Sequence, residues 1–192
     1  MAKMTSPSDM MNAVTDSMKE RTGKTLDEWV EAVKASGVDL LDQKAVRKWL
    51  KEEHGVLQNS QWAIADAAAR AACWVRPSVE GYIDSQYQGD KEALRPIFDA
   101  LRETMEGLGE DVTVEGRGGY TPFVRKRQFA AVQASTKTRV DLGLRFKQAP
   151  TSGLLSTTSL PGQSTHKIGL TSVEDITDEV IELIRLAYEQ NG

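Results

Sequence analysis

Residues 118–147 read GGYTPFVRKRQFAAVQASTKTRVDLGLRFK and contain the clearest strand pattern in this chain of 192 residues. From Arg139 to Phe146 the residues alternate strictly between apolar and polar or small, which is typical of a strand with one buried face. The apolar set is Val140, Leu142, Leu144 and Phe146, and the opposite set is Arg139, Asp141, Gly143 and Arg145. Tyr120–Arg125 and Gln128–Ala134 predict two earlier strands, and Ser135–Thr138 predicts a hairpin turn. The stretch therefore predicts three consecutive strands.

The sequence on either side of these strands predicts two helices and two further strands. Lys91–Leu108 has the apolar stripe of an amphipathic helix, and Asp178–Gln190 has a similar stripe at the carboxy-terminal end. Asp111–Glu115 and His166–Leu170 are predicted strands, and residues 149–163 form a long Ser/Thr/Gly/Pro loop. Residues 91–192 are thus predicted to be an α+β domain: a helix, a mostly antiparallel sheet of about five strands, and a second helix.

Residues 1–75 predict a separate four-helix bundle. Apolar residues recur at helical spacing from Met10 to Met18, and Thr25 with Glu28 forms a capping box for the second helix. Two more helices follow, and the last of them has Arg70 as its one basic residue, so sequence reading of DNA by this region is not predicted. Residues 76–90 contain Pro77, Gly81 and Gly89 without sustained periodicity and are predicted to be a linker.

The charge of the chain is distributed unevenly. The net charge is −4, which argues against a general nucleic-acid coat. Between Arg117 and Lys147, however, eight basic residues accompany a single acid, Asp141, so this region carries +7 and the rest −11. The sequence therefore predicts a local basic surface on an acidic protein.

This basic region is the candidate binding surface for an anionic partner, with nucleic acid and a small anionic metabolite both open. The predicted binding residues are Tyr120, Arg125, Arg127, Lys137, Arg139, Asp141, Arg145 and His166. Interleaved aromatic residues such as Tyr120, Phe123 and Phe129 suit stacking with single-stranded nucleic acid. Alternatively, Phe123 and Phe129 belong to the core and the charges are solvated or pair with acids elsewhere.

Two other functions remain open at this point. One is an enzyme or small-molecule site between the sheet and the 149–163 loop, with Asp141 and His166 as acid–base candidates that must then lie close together. The other is an assembly module whose helical bundle forms a homodimer. The leading interpretation is a non-enzymatic protein, with no catalytic residue, metal or cofactor assigned. No metal is assigned because the two histidines and Cys73 cannot build a metal site by themselves. We expect a cytoplasmic protein without a membrane segment.

Two segments resemble bacterial families. Residues 21–29 (RTGKTLDEW) and 45–55 (AVRKWLKEEHG) resemble domain of unknown function 4287, a helical family. Residues 93–188 are similar to domain of unknown function 5655, through the pieces LRPIFDALR, GLGEDV, RKRQFAAVQASTKTRVDLGLR and THKIGL and a closing helix with Ala187 and Tyr188. The resemblance implies two domains and transfers no catalytic residue.

Overall fold

The computed structural model describes residues 17–157, 160 and 162–192. The chain divides into two compact units, Met1–Arg76 and Pro77–Gly192, which we call the helical unit and the sheet unit. Within the described residues the helical unit contains helices alone, and the sheet lies in the sheet unit. The predicted α+β class is therefore confirmed.

The helical unit has one short and three longer helices among its described residues. They are α1 (Met18–Thr22), α2 (Leu26–Ser36), α3 (Gln43–His54) and α4 (Gln58–Ala71). The predicted capping box begins α2, because Thr25 Oγ1 accepts from the Glu28 backbone N–H at 3.3 Å and Glu28 accepts from the Thr25 N–H at 2.7 Å. The fully buried core of the helical unit includes Val33, Val46, Leu50 and Ile64. The predicted helix from Met10 lies mostly outside the described residues, so the four-helix bundle stays a prediction.

Residues 76–90, predicted to be a linker, contain helix α5 (Val79–Gln86). Ser78 caps this helix by accepting from the Gly81 N–H at 3.0 Å. Ile83 and Tyr87 are buried in the core of the sheet unit, and the Tyr87 ring lies 5.1 Å from that of Phe98. Much of this stretch is therefore part of the sheet unit, because Ile83 and Tyr87 are buried in its core.

The sheet unit continues with a 3₁₀ segment (Gly89–Leu94), helix α6 (Arg95–Glu106) and a six-stranded sheet. Its strands are β1 (Thr113–Val114), β2 (Thr121–Val124), β3 (Gln128–Ala134), β4 (Val140–Leu144), β5 (Ser156–Thr157) and β6 (His166–Leu170). Their order is β1-β2-β3-β4-β6-β5, and every neighbouring pair is antiparallel. A 3₁₀ turn (Val173–Asp175) then leads to helix α7 (Asp178–Gln190). The mostly antiparallel sheet is confirmed.

One face of the sheet packs beneath α6 and α7. Its β4 residues are Val140, Leu142 and Leu144, as the alternation predicts, and all three are fully buried. The helices contribute apolar side chains to the same core, including Phe98, Leu101, Ile184 and Ala187. This face is buried because the stripes of both helices and the alternating residues of the strands exclude water together.

The opposite face of β4 is also buried, although the alternation predicts it to be solvated. Asp141 is 2% exposed and Gly143 is buried. The loop before β6 lies directly on Gly143: a Cβ there would overlap Ser164 Oγ and lie 3.2 Å from Leu160 Cδ1. The absent side chain of Gly143 thus makes room for this loop to cover the sheet.

Candidate anion-binding surface

The eight predicted binding residues do not form one continuous surface. Strand β3 connects the turn at 125–127 to the turn at 135–138, and its seven residues span about 23 Å. We call residues 125–127 and 145–147 the basic end of the sheet, and residues 120 and 135–139 the hairpin end. Arg145 belongs to the basic end because its N–H donates to Phe129 O at the start of β3, at 2.9 Å.

The basic residues at the hairpin end are paired with acids. Lys137 forms an ion pair with Asp90. Arg139 Nε lies 2.8 Å from Asp141 Oδ1, and Lys167 Nζ donates to Asp141 Oδ2 at 2.9 Å. Little positive charge at this end is therefore left for an external anion.

Asp141 is a buried carboxylate held between two cations. Burial alone would raise its pKa, but the hydrogen bond from Lys167, the nearby Ser135 hydroxyl and the charge of Arg139 together hold the pKa below its ordinary value. The Arg139 side chain crosses Gly169, where a Cβ would lie 3.1 Å from Arg139 Cδ. Asp141 thus anchors a charge cluster across β4 and β6, and it is buried there instead of solvated.

Asp141 and His166 lie on opposite faces of the sheet. Asp141 pairs with Gly169 and Leu144 pairs with His166, and residues three apart on one strand point to opposite faces. The His166 ring packs against Phe146 with ring centres 5.8 Å apart, and its Nδ1 lies 3.0 Å from Thr165 Oγ1. The two side chains therefore do not share an acid–base site, and the proposed enzyme site built on them is wrong.

Tyr120 also lies apart from the basic end. It directly precedes β2, whose first residue, Thr121, pairs with Val132 near the hairpin end of β3. Its side chain is half-buried. Tyr120 is therefore not at the rim of the cations that remain available at the other end.

The basic end carries Lys126, Arg127, Arg145 and Lys147. The carboxy-terminal end of α7 joins the two segments: Arg127 N donates to Asn191 O at 3.3 Å, and Asn191 Nδ2 donates to Arg145 O at 2.9 Å. Lys126, Arg127 and Lys147 are exposed, and Arg145 donates to the Gln163 side-chain amide oxygen. Among the described residues, none of these four cations forms an ion pair with an acid.

Arg125, the remaining cation of the basic end, is paired with an acid and belongs to a structural cluster. Its Nε lies 2.7 Å from Asp111 Oδ2, and its guanidinium lies 4.2 Å from the centre of the Tyr188 ring. Tyr188 donates to Asp111 Oδ1 at 2.6 Å, and Gly109 leaves the space that this hydroxyl occupies. The cluster joins three pieces that carried the family resemblance, namely GLGEDV, RKRQF and the closing helix.

We expect Asp111→Asn to lower the pKa of Tyr188. The hydrogen bond to the Asp111 carboxylate raises that pKa above its ordinary value, because ionised Tyr188 would lose the bond and face a like charge. NMR titration of the tyrosine ring resonances in the parent chain and in Asp111→Asn measures the shift. An unchanged Tyr188 titration would show that this hydrogen bond is not maintained in solution.

Sequence reasoning left Lys126, Lys147 and Lys167 out of the predicted site. Lys126 and Lys147 lie inside the region whose charge was counted, but the count alone does not show which cations face acids. The sheet face of Lys167 could have been predicted, because alternation along β6 places Lys167 with Gly169 on the face opposite Ile168 and Leu170. That is the face on which Asp141 lies.

The described residues contain no group of three or more His, Cys, Asp or Glu side chains that could hold a metal ion. Among those residues there is also no helix with the length and apolar character needed to cross a membrane.

Comparison with protein families gives two matches along the chain. Residues 11–67 match the model of Domain of unknown function (DUF4287), and residues 83–191 match that of Domain of unknown function (DUF5655), beginning inside α5. Neither the curated proteins nor the solved structures gave a match. Both resemblances expected from the sequence are confirmed, in the same order. The second match covers more than half of the chain, so the chain belongs to the family described as Domain of unknown function (DUF5655).

Proposed function

We propose that this is a non-enzymatic binding protein that recognises a phosphate-bearing partner at the basic end of its sheet. The observation that carries the proposal is the group Lys126, Arg127, Arg145 and Lys147, which two adjacent segments present without acidic partners among the described residues. Arginine suits phosphate because its planar guanidinium donates two parallel hydrogen bonds to two oxygens.

A binding role is favoured over catalysis by the groups that surround these cations. Gln163 accepts from Arg145, while Gln190 and Asn191 bond to the backbone of residues 145–148. Amide side chains orient neighbouring groups but do not transfer protons near neutral pH.

A cytoplasmic location also belongs to this proposal, since the single cysteine leaves no disulfide within the chain.

We expect the 192-residue chain to bind pyrophosphate or a nucleoside diphosphate, and Lys126→Ala/Arg127→Ala to weaken that binding about tenfold or more. Affinity should fall by this factor because the variant loses the hydrogen bonds from Lys126 and Arg127 to phosphate oxygens, and a hydrogen bond between charged groups contributes about 1.5–3 kcal/mol. Isothermal titration calorimetry at low salt measures the affinity. A parallel titration with an oligonucleotide tests whether the phosphate groups recognised at the basic end are those of a nucleic acid.

The matched control is Lys137→Ala/Arg185→Ala, which removes two exposed cations from other parts of the same unit. It should bind like the parent chain. Absence of binding to pyrophosphate and to the nucleoside diphosphate, or equal weakening in both variants, would refute the proposal. Destabilisation by Lys126→Ala/Arg127→Ala without any loss of affinity would instead show that these cations only compensate the carboxy-terminal end of α7.

A further inference from the structure

Helix α3 of the helical unit presents a row of cations to solvent. Lys44, Arg47, Lys48 and Lys51 follow the spacing i, i+3, i+4, i+7 and therefore lie on one side of the helix. We call these four residues the α3 basic stripe. The three lysines are exposed and Arg47 is half-buried, while Val46 and Leu50 on the other side are fully buried. The stripe extends about 10 Å along the helix axis.

The cations of the stripe are not neutralised within the unit. Among the described residues, none of the four forms an ion pair, although Asp42 and Glu52 line the same shallow groove. The Asp42 carboxylate is occupied as the cap of α3, where it accepts from the N–H groups of Lys44 and Ala45 at 3.0 and 2.9 Å. The residues of the helical unit include eleven Lys or Arg and eleven Asp or Glu, so the stripe is a local concentration of charge on a neutral unit.

An exposed tryptophan lies beside the stripe. Trp62 on α4 is 44% exposed, and the Arg47 guanidinium carbon lies 3.6 Å from the centre of one of its rings. Arg47 Nε also donates to Gln43 O at 3.1 Å, which holds the guanidinium in place over the indole. Trp62 and Arg47 thus form a planar, positively charged platform next to a row of lysines.

A stacking platform beside a positive track is the arrangement that binds single-stranded nucleic acid without sequence preference. Stacking requires unpaired bases, since a base within a duplex has both faces covered. The lysines supply contacts to backbone phosphates, which carry no sequence information. A lipid surface would use the lysines but would not need a planar guanidinium–indole stack.

We propose that the α3 basic stripe and Trp62 bind single-stranded nucleic acid independently of base sequence. The proposal concerns the helical unit and stands apart from phosphate recognition by the sheet unit. Sequence-specific recognition of DNA was not expected, because α4 has few basic residues. The proposal is consistent with that expectation, because the cations of the stripe lie on α3 and would contact phosphates, not bases.

The test uses the full chain and a labelled oligothymidine of about 16 nucleotides, the upper end of usual site sizes. We expect the logarithm of the binding constant to fall with the logarithm of salt concentration with a slope of about −2 to −3, since each phosphate contact contributes about −0.7. Lys48→Ala/Lys51→Ala should reduce that slope by about 1.4 and weaken binding about tenfold at low salt. Trp62→Ala should also weaken binding about tenfold.

The matched control is Lys19→Ala/Lys34→Ala, which removes two exposed lysines from α1 and α2. It should bind like the parent chain. In the Lys126→Ala/Arg127→Ala background, Lys48→Ala/Lys51→Ala and Trp62→Ala should still weaken oligonucleotide binding by the same factors, so that this proposal and the proposed function can fail separately. No binding of the oligonucleotide, equal weakening in the Lys19/Lys34 control, tighter binding of duplex DNA, or stripe-dependent binding to anionic lipid vesicles alone would each overturn the proposal. Circular dichroism confirms that the variants retain their helices.

Discussion

Replacing Arg139 and Lys167 together by methionine is expected to lower the free energy of unfolding of the sheet unit by about 3 kcal/mol at neutral pH. The reason is that Asp141, which is 2% exposed, would keep its charge in a buried position after losing both cationic partners. Methionine retains the apolar stems, so the change isolates the loss of charge. Urea unfolding followed by tyrosine near-ultraviolet circular dichroism measures the effect, because all four tyrosines lie in the sheet unit.

The pH dependence of stability should reverse in this variant. In the parent protein the pKa of Asp141 is lowered on folding, so its stabilising contribution is present above the ordinary value of about 3.9 and disappears as the pH falls through the lowered value. Without the two cations, burial raises the folded pKa. The variant should then be more stable in mild acid and lose stability as the pH rises through that raised pKa.

A third substitution, Asp141→Asn, supplies the control for this prediction. In the Arg139→Met/Lys167→Met background it removes the buried charge, so it should restore part of the lost stability and abolish the reversed pH dependence. If the double variant is as stable as the parent chain at neutral pH, Asp141 is open to water in solution and the cluster is not a buried one.

The regular part of the sheet could be predicted from the sequence, because strand alternation is a local pattern. The bounds predicted for β3 and β6 agree with the structure, and Val140, Leu142 and Leu144 lie on the helix-covered face as expected. The capping box at Thr25 is equally local. In each case the residues that determine the structure lie within a few positions of one another.

The candidate site was less predictable, because the pairing of charges depends on contacts between distant segments. Lys137 and its partner Asp90 are separated by the whole of α6 and three strands. The loop that covers Gly143 has no apolar periodicity, so its path over the sheet left no sequence signal. A count of charge along the chain therefore identified a basic region but not which of its cations are available to a ligand.

Ile83→Ala is expected to destabilise the sheet unit by about 3 kcal/mol, since it removes a fully buried side chain and leaves a cavity in that core. The prediction decides whether α5 is an integral part of the unit or a connection between units, because truncation of a solvated linker residue changes stability by less than about 0.5 kcal/mol. The chain supplies separate probes: all four tryptophans lie in the helical unit and all four tyrosines in the sheet unit. The unfolding transition followed by tyrosine should therefore shift to lower urea concentration, while the transition followed by tryptophan stays in place.

Val79→Ala on the same helix is the matched control, since Val79 is 37% exposed and should change neither transition. A shift of the tryptophan transition alone would place Ile83 in the helical unit and contradict the assignment of α5 to the sheet unit.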